Sequence, residues 1–377
     1  MITNNKNILH VGSECIQCHY CEYTCPKKAI SFKKNSKGFL YPNISNECIN
    51  CGKCLQICPI LHVPSSNRPI ESFHGYSKDD HTRFTSSSGG FFFHIADFFR
   101  KEGWLIIATV FFPESKECKY VTSNQCDIKQ MQKSKYCESN FTQILQLIKN
   151  ALAEDKKIFI CGTPCHMYAV RHIFGNSNNV FIVDFQCHGV PSQTLLQEDI
   201  KMHEKNNGAN LRDIDFRYKK TKYSSLTLKL EFENGKRKVF RYNEDRFYYA
   251  FEKNWILRDS CYQCKFSSSH FSDITLGDFW NANKYGVKAD TKLGHSLVYA
   301  NSKKGLEIIK KIEPCFVINK TISLIPYPLF SKKSSDVNKQ ALFFEYYKLY
   351  GYKKACDKLF FSKIKFKSIL KKILRKK

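Results

Sequence analysis

The sequence predicts an α+β or α/β chain: a small cysteine-rich module, a larger body built on a mixed sheet, and a basic C-terminal helix. Three observations support this prediction. The first 62 residues carry two regularly spaced runs of four cysteines. Apolar runs of strand length alternate with helix-like patterns through the middle of the chain, and the last 25 residues are rich in lysine.

Length and composition set the outer limits of the fold. The chain has 377 residues, of which 42% are hydrophobic and 25% are charged, so a disordered or collagen-like chain is excluded. The longest mainly apolar run, at 104–112, has nine residues, about half of the ~20 that a membrane-spanning helix needs. The first fifteen residues lack the apolar stretch of a secretory signal. We therefore expect a cytoplasmic protein.

The N-terminal cysteines follow the spacing C-x2-C-x2-C-x3-C-P twice, 33 residues apart. This is the bacterial ferredoxin spacing, in which three thiolates wrap one iron–sulfur cubane and the fourth reaches the other cluster. Structural zinc is the alternative, but zinc ligands usually come as separated pairs. We predict two [4Fe–4S] clusters with crossed ligand sets. The first set is Cys15, Cys18, Cys21 and Cys58, and the second set is Cys48, Cys51, Cys54 and Cys25.

Two neighbouring clusters commonly pass single electrons between a partner and a second redox centre. Residues 63–72 are rich in proline and serine, which is typical of a linker. We therefore predict a dicluster ferredoxin domain over residues 1–62 and a separate domain over residues 73–352.

The larger domain carries three apolar runs separated by helix-like patterns, which favours a mainly parallel sheet. Ligands gather at the carboxyl ends of such strands, where Gly-Thr-Pro-Cys (162–165) and Cys-His-Gly (187–189) occur. Asn234-Gly235 separates two further strand-like runs and predicts a hairpin. The body should therefore mix parallel and antiparallel strands. The three apolar runs are 104–112, 157–165 and 180–192.

Two more features are typical of a cofactor site. Small residues at 86–90 precede a helical pattern, and a helix start of this kind exposes N–H groups that can hold a phosphate. An ordinary serine N-cap is the alternative. No G-x-G-x-x-G follows a strand, so a Rossmann-type dinucleotide fold is not supported. Cys261 and Cys264 form an isolated C-x2-C pair, which alone is a weak signal.

The order of these motifs resembles the coenzyme F420 hydrogenase/dehydrogenase beta-subunit family, preceded here by a dicluster ferredoxin domain. The resemblance runs along most of the chain and leaves out residues 353–377. Besides the two cysteine runs, the similar blocks are SSGG (87–90), SKYCESN (134–140), GTPC (162–165), DFQCHGVPS (184–192), RDSCYQC (258–264), SDITLGDFW (272–280) and GHSLVYAN (294–301).

The resemblance implies a flavoprotein that passes electrons between iron–sulfur clusters and a deazaflavin or another organic acceptor. It also implies a third cubane in the body, although buried thiols without metal are the alternative. The FAD contacts implied are Ser87, Ser88, Gly89, Gly90, Lys135, Tyr136, Ser139, Asn140 and Thr163. The ligands implied for the third cluster, here called the third set, are Cys165, Cys187, Cys261 and Cys264.

These features predict an FAD-dependent iron–sulfur oxidoreductase, because a flavin converts single electrons into hydride chemistry. Electrons would come from reduced ferredoxin or a redox partner protein and pass to an organic small-molecule substrate. The alternative is a non-catalytic electron-transfer subunit of a larger redox complex. His188, Asp184 and His166 are candidates to move the accompanying proton. Structural, hydrogen-bonded roles are the alternative for all three.

Over a third of the formal net charge of +26 lies in the tail, residues 353–377, which hold 11 basic residues and 1 acidic residue. Apolar residues recur there near a helical period, so a basic amphipathic helix could contact the inner face of an anionic membrane. A solvated helix, or one docked on its own domain, is the alternative. No nucleic-acid-binding signature accompanies the charge, so we expect no nucleic-acid partner.

Overall fold

The structure is a computed structural model. It describes residues 6–63, 68–175, 177–219, 227–267, 271–280, 282–290, 293–321 and 334–374, and side chains of the last range are described for 336–359. Residues 64–67 of the predicted linker lie outside the described residues, as do the side chains of the predicted tail beyond residue 359.

The N-terminal part repeats one local structure in each cysteine run. Helix α1 (Tyr20–Thr24) follows His19, and helix α2 (Lys53–Gln56) follows Gly52. Both preceding residues have a left-handed backbone, with φ of 56° and 74°. Between the helices, strands β1 (Ile30–Lys34) and β2 (Leu40–Ile44) pair antiparallel. The doubled cysteine spacing is thus matched by a doubled loop and helix.

The body is built on an eight-stranded mixed sheet. Its strands are β3 (Glu71–Ser77), β4 (Leu105–Phe112), β5 (Glu117–Thr122), β6 (Ile158–Gly162), β7 (Val180–Phe185), β11 (Ile274–Asp278), β12 (Ser296–Ala300) and β13 (Phe316–Lys320). The order across the sheet is β13-β3-β12-β11-β7-β6-β4-β5. The central pairs β4–β6, β6–β7 and β7–β11 are parallel, and the outer pairs are antiparallel. The three predicted strands and the mixed character of the sheet are confirmed.

Helices cover both faces of this sheet. They are α3 (Asp80–Thr85), α4 (Phe91–Lys101), α5 (Ile128–Met131), α6 (Ile144–Ala153), α7 (Pro164–Phe174) and α10 (Lys303–Ile312). Alternate residues of a strand face opposite sides, so Ile106 and Ala108 pack with α4 and α10. Ile107 packs on the other side with α6 and α7, in a core that also includes Ile8 and Tyr20. The N-terminal part therefore lies on the α6–α7 side of the sheet.

A further core, here called the second core, surrounds a smaller antiparallel sheet. Its strands are β8 (Leu211–Asp215), β9 (Thr227–Phe232) and β10 (Arg237–Arg241), in the order β10-β9-β8. The predicted hairpin at Asn234-Gly235 joins β9 to β10, and Gly235 has a φ of +80°, which only glycine adopts readily. The helices in this core are α8 (Gln193–Asn207), α9 (Arg246–Glu252) and α11 (Ser334–Leu374).

Helix α11 is kinked at Gly351, where φ is 76°. Beyond the kink, Tyr352, Ala355 and Cys356 are buried in the second core. The first turns of the predicted tail therefore pack on the body. Among the described residues, no helix is both long enough and apolar enough to cross a bilayer.

The body begins slightly before the predicted boundary at residue 73. Strand β3 starts at Glu71, because residues 71 and 72 already pair with Ala300 and Tyr299 of β12. Ile70 also donates its backbone N–H to the carbonyl of Ala300. The last residues of the predicted linker are thus part of the sheet.

Candidate functional site

The first set of cysteines converges from both runs. Cys15, Cys18, Cys21 and Cys58 are all buried. Burial raises the pKa of Cys21, and the neighbouring thiols of Cys18, Cys15, Cys58 and Cys54 raise it further. Cys15 and Cys58 likewise raise the pKa of Cys18. The four cysteines also pack in one core cluster, together with Cys54 of the second set. A group of neighbouring thiols fits an iron–sulfur cluster, and the division of ligands between the first and second sets stays a prediction.

The second set encloses one small pocket. Cys25 of the first run lines it together with Cys48, Cys51 and Cys54 of the second run, beside Ile30 and Ile44 of the hairpin. The Ala29 N–H donates to Cys25 Sγ over 3.3 Å, a contact typical of sulfur ligands. The donor set is again four thiols. Cys51 is exposed, so this set reaches the protein surface.

The third set is drawn from three separate segments. Cys165 lies in the first turn of α7, Cys187 follows β7, and Cys261 and Cys264 lie in the turn after Arg258. Burial raises the pKa of Cys187, and Cys261, Cys165 and Cys264 raise it further, which places the four thiols near one another. Cys165 also contributes to the raised pKa of Cys18. The third set therefore adjoins the first set and offers a donor set that fits a further cluster.

A buried ion pair connects the first set to the body. Arg258 is 2% exposed, and its guanidinium contacts Glu138 Oε2 at 2.9 Å and donates to the Cys15 carbonyl over 2.8 Å. It also donates to the Leu40 carbonyl and lies over the Tyr41 ring. Burial raises the pKa of Glu138 to about 7, and Arg258 opposes this shift. Arg258 thereby fixes the Cys15 loop against the body.

A cavity of about 410 Å³ lies beside the third set, within the range of small-molecule sites. It opens where β6, β7 and β11 end, and Cys187 forms part of its wall. Seven of the nine predicted FAD contacts line it, and Gly89 and Asn140 do not. The seven are Ser87, Ser88, Gly90, Lys135, Tyr136, Ser139 and Thr163.

The glycine turn shapes one end of this cavity. Gly90 is the N-cap of α4 with a φ of +96°. Gly89 lies against β3, where an added Cβ would be 2.5 Å from the Gly75 carbonyl oxygen, and its N–H donates to Ser296 Oγ. The Ser88 hydroxyl is buried without a hydrogen-bond partner in the described part of the chain. An orphaned hydroxyl beside the start of an eleven-residue helix fits an anionic group such as a phosphate.

Two of the predicted flavin contacts have partners of their own. Lys135 Nζ donates to the carbonyls of Met131 and Lys133, among others at the end of α5, and burial lowers its pKa to about 8. Asn140 Oδ1 accepts from the Thr142 N–H, in the turn that leads to α6. Both residues shape the backbone around the cavity, and Asn140 lies outside its wall.

Of the three candidate proton-transfer residues, His188 alone lines the cavity. His166 lies between Tyr120 and the Ile16 carbonyl, at 3.4 and 3.3 Å, and burial lowers its pKa to about 3. Asp184 is buried in the sheet, where it accepts a hydrogen bond from Thr275 Oγ1, and burial raises its pKa to about 7. Both contact neighbouring elements rather than the cavity.

Sequence reasoning missed a second cationic anchor, Arg217. Its guanidinium lies 2.9 Å from Asp278 Oδ2 and donates to Tyr136 Oη and to the Ser87 carbonyl. It also lies 5.2 Å from the ring centre of Trp280, which is half exposed. Arg217 follows β8 without a recognisable motif, so the sequence carries no signal for it. Asp278 and Trp280 lie inside the recognised block at 272–280.

The three thiol sets and the cavity form a continuous series. Cys54 of the second set lies near enough to Cys21 and Cys58 of the first set to raise the pKa of both thiols. The first set adjoins the third through Cys18 and Cys165. The third set reaches the cavity wall at Cys187. The series therefore runs from the exposed surface at Cys51 to the interior of the body.

Two regions of the chain match described families. Residues 14–60 match the 4Fe-4S dicluster domain, and residues 155–321 match the C-terminal part of the coenzyme F420 hydrogenase/dehydrogenase beta subunit. These matches confirm the predicted dicluster domain and the predicted resemblance. No curated protein matches the chain.

One similar solved structure is a chain from the xenon-derivatised F420-reducing [NiFe] hydrogenase complex of Methanosarcina barkeri. It is 20% identical in sequence and superposes with a TM-score of 0.49. The match covers 77% of the present chain and 96% of that chain.

Proposed function

We propose that this chain is an iron–sulfur flavoprotein oxidoreductase, because residues 155–321 match the C-terminal part of the coenzyme F420 hydrogenase/dehydrogenase beta subunit and residues 14–60 match the 4Fe-4S dicluster domain. It passes electrons from its ferredoxin-type clusters through a third cluster and FAD to an organic substrate or a deazaflavin. The observation that carries the proposal is the series of thiols from exposed Cys51 to Cys187 in the cavity wall.

Different residues of the cavity would contact different parts of such a cofactor. The turn at 87–90 and the first N–H groups of α4 would hold the phosphates, because they supply donors and no acidic side chain lies in the first turn. Tyr136, stacked on Phe251 at 4.7 Å, supplies an apolar wall. When bound, FAD supplies two-electron chemistry that a cluster cannot.

His188 is our candidate for moving a proton in the cavity. It follows Cys187 directly and packs its ring against Phe251 at 4.9 Å, so its position is fixed by the third set and by α9. Imidazole exchanges protons near neutral pH, which suits a group that accompanies electron transfer to an organic substrate.

Cofactor content of anaerobically purified protein tests the proposal. We expect about twelve iron atoms and one FAD per chain, which corresponds to three cubanes and a flavin. Cys264→Ala should lower the iron content by about four atoms, because it removes a ligand of the third set. Cys315→Ala, at an exposed cysteine outside the three sets, is the matched control and should keep all the iron. About eight iron atoms in the wild type would contradict the third cluster, and flavin-free protein would contradict the FAD site.

The alternative, a non-catalytic electron-transfer subunit, is favoured by one observation: the matching family description names a beta subunit. Reduction of a small organic acceptor separates the two functions. If the chain is an enzyme, the isolated protein with dithionite-reduced clusters should reduce the acceptor without any added protein. Reduction that appears only after a partner protein is added would favour the subunit.

A further inference from the structure

The second set of cysteines is surrounded by exposed lysines. Lys6, Lys27 and Lys53 line the same pocket as the four thiols, and Lys28 follows Lys27 directly. We name these four residues the lysine rim. All four are exposed, and none forms an ion pair with another residue in the described ranges. Between residues 23 and 70 the sequence has one acidic residue, Glu47. The rim is therefore a cationic surface around the pocket that the second set of thiols lines.

An apolar residue lies within the same surface. Ile49 is 59% exposed and lines the pocket beside exposed Cys51. An exposed apolar side chain surrounded by charge is the usual composition of a weak, transient protein interface, with an apolar centre and a polar rim. Transient electron-transfer complexes typically form through small interfaces of this kind.

We propose that the lysine rim and Ile49 form the docking surface for an acidic single-electron carrier protein. The step moves one electron from the carrier's reduced centre to the cluster of the second set, and no bond forms or breaks. This inference rests on the proposed function and adds to it the place of electron entry and the surface charge of the donor. Opposite charge on the two proteins steers the encounter and orients the redox centres toward each other.

The other exposed cysteine ligand offers a poorer entry point. Cys264 of the third set also reaches the surface, but the neighbouring Lys265 is 2.8 Å from Glu14 Oε2, so its charge is balanced. The first set is buried. Of the three sets, the second therefore combines exposure with unbalanced positive charge.

Binding of a purified acidic ferredoxin to the oxidised, full-length protein tests this surface by calorimetry at low ionic strength. The double variant Lys27→Glu/Lys53→Glu should weaken binding by about tenfold or more, because it reverses two charges of the rim. Added salt should weaken wild-type binding in the same direction. The matched control is Lys303→Glu/Lys310→Glu, which changes net charge equally on α10, across the sheet from the N-terminal part. The control should change binding by less than about twofold.

The variants must first keep the wild-type iron content, which these exposed lysines should allow. Equal weakening by both double variants would overturn the docking surface, since it would show attraction to net charge alone. A second variant, Ile49→Asp, should also weaken binding, and unchanged binding there would contradict the apolar centre. Full iron content with no ferredoxin binding would overturn the surface and leave the proposed function intact. Loss of the cofactors from wild-type protein would instead contradict the proposed function.

Discussion

At the scale of single residues, local spacing was enough to predict the dicluster domain, whereas the positions of other candidate site residues depend on what packs around them. The two four-cysteine runs could be assigned from sequence because a C-x2-C-x2-C loop brings its own thiols together. His166 and Asp184 could not be judged in this way, because their positions depend on what packs around them. His166 lies under the Ile16 carbonyl, and Asp184 lies in the buried sheet beside Thr275. Arg217 carries no local pattern at all.

Arg258 is the clearest residue for testing how the cysteine-rich part is attached. Arg258→Met leaves Glu138 buried without its cation, and we expect a loss of about 3–5 kcal/mol in the free energy of unfolding. The double variant Arg258→Met/Glu138→Gln removes both charges and should recover much of that loss. Urea unfolding of the anaerobic holoprotein measures both. A single variant as stable as the double variant would show that the pair contributes little.

Asp184 predicts a specific pH dependence. Burial raises its folded pKa to about 7, so the folded protein holds one more proton than the unfolded chain between about pH 4 and pH 7. The unfavourable contribution of Asp184 to the stability of the folded protein therefore grows as the pH rises through this window and levels off above pH 7.

Asp184→Asn removes this titration while keeping the shape of the side chain. From pH 6 to pH 8.5, we expect the wild type to lose about 1 kcal/mol of stability relative to the variant. Thermal unfolding at the two pH values measures the difference. Parallel pH profiles for the two proteins would mean that Asp184 titrates near its ordinary pKa.

At the scale of elements, the central strands were predictable and the outer strands were not. Strands β4, β6 and β7 are buried on both faces, so each appears in the sequence as a continuous apolar run. Strand β3 pairs with β12 and β13, more than 200 residues away, and these short antiparallel strands carry no equally strong local signal. Their register depends on the folded body. The Asn-Gly hairpin was predictable because its turn demands a positive φ.

The packing of helix α11 determines where the C-terminal segment can be shortened for a membrane-binding test. Tyr352, Ala355 and Cys356 are buried, so a chain cut at Gly351 would expose part of the second core. Residues 360–377 hold eight basic residues and no acidic residue. We expect full-length protein to float with vesicles rich in anionic lipid, since each lysine near such a surface contributes about 1 kcal/mol.

A variant ending at residue 359 should keep the fold and its cofactors but lose this flotation. Vesicles of neutral lipid are the control, and neither protein should float with them. Equal flotation of the full-length and shortened proteins would show that the terminal basic residues do not mediate the contact.

At the scale of the whole molecule, the arrangement of the candidate site depends on long-range packing. The third set joins α7, the end of β7 and the turn after Arg258, which are separated by up to 99 residues between Cys165 and Cys264. Spacing alone could not predict this convergence, and the family resemblance supplied it. The packing of the N-terminal part on the α6–α7 side then places the first set beside the third. The sequence showed which parts are present but not which face of the sheet would carry them.

The predicted exchange of Cys25 and Cys58 between the two runs would have a consequence for assembly. In the predicted crossed assignment, each of the first two centres would take three ligands from one loop and one from the other, so neither loop would complete its own centre alone. Filling one centre would then draw the fourth ligand of the other into place. Maturation of the N-terminal part should therefore be cooperative, with empty and fully loaded chains outnumbering half-loaded ones, and oxidative damage at the exposed centre should propagate to the buried one.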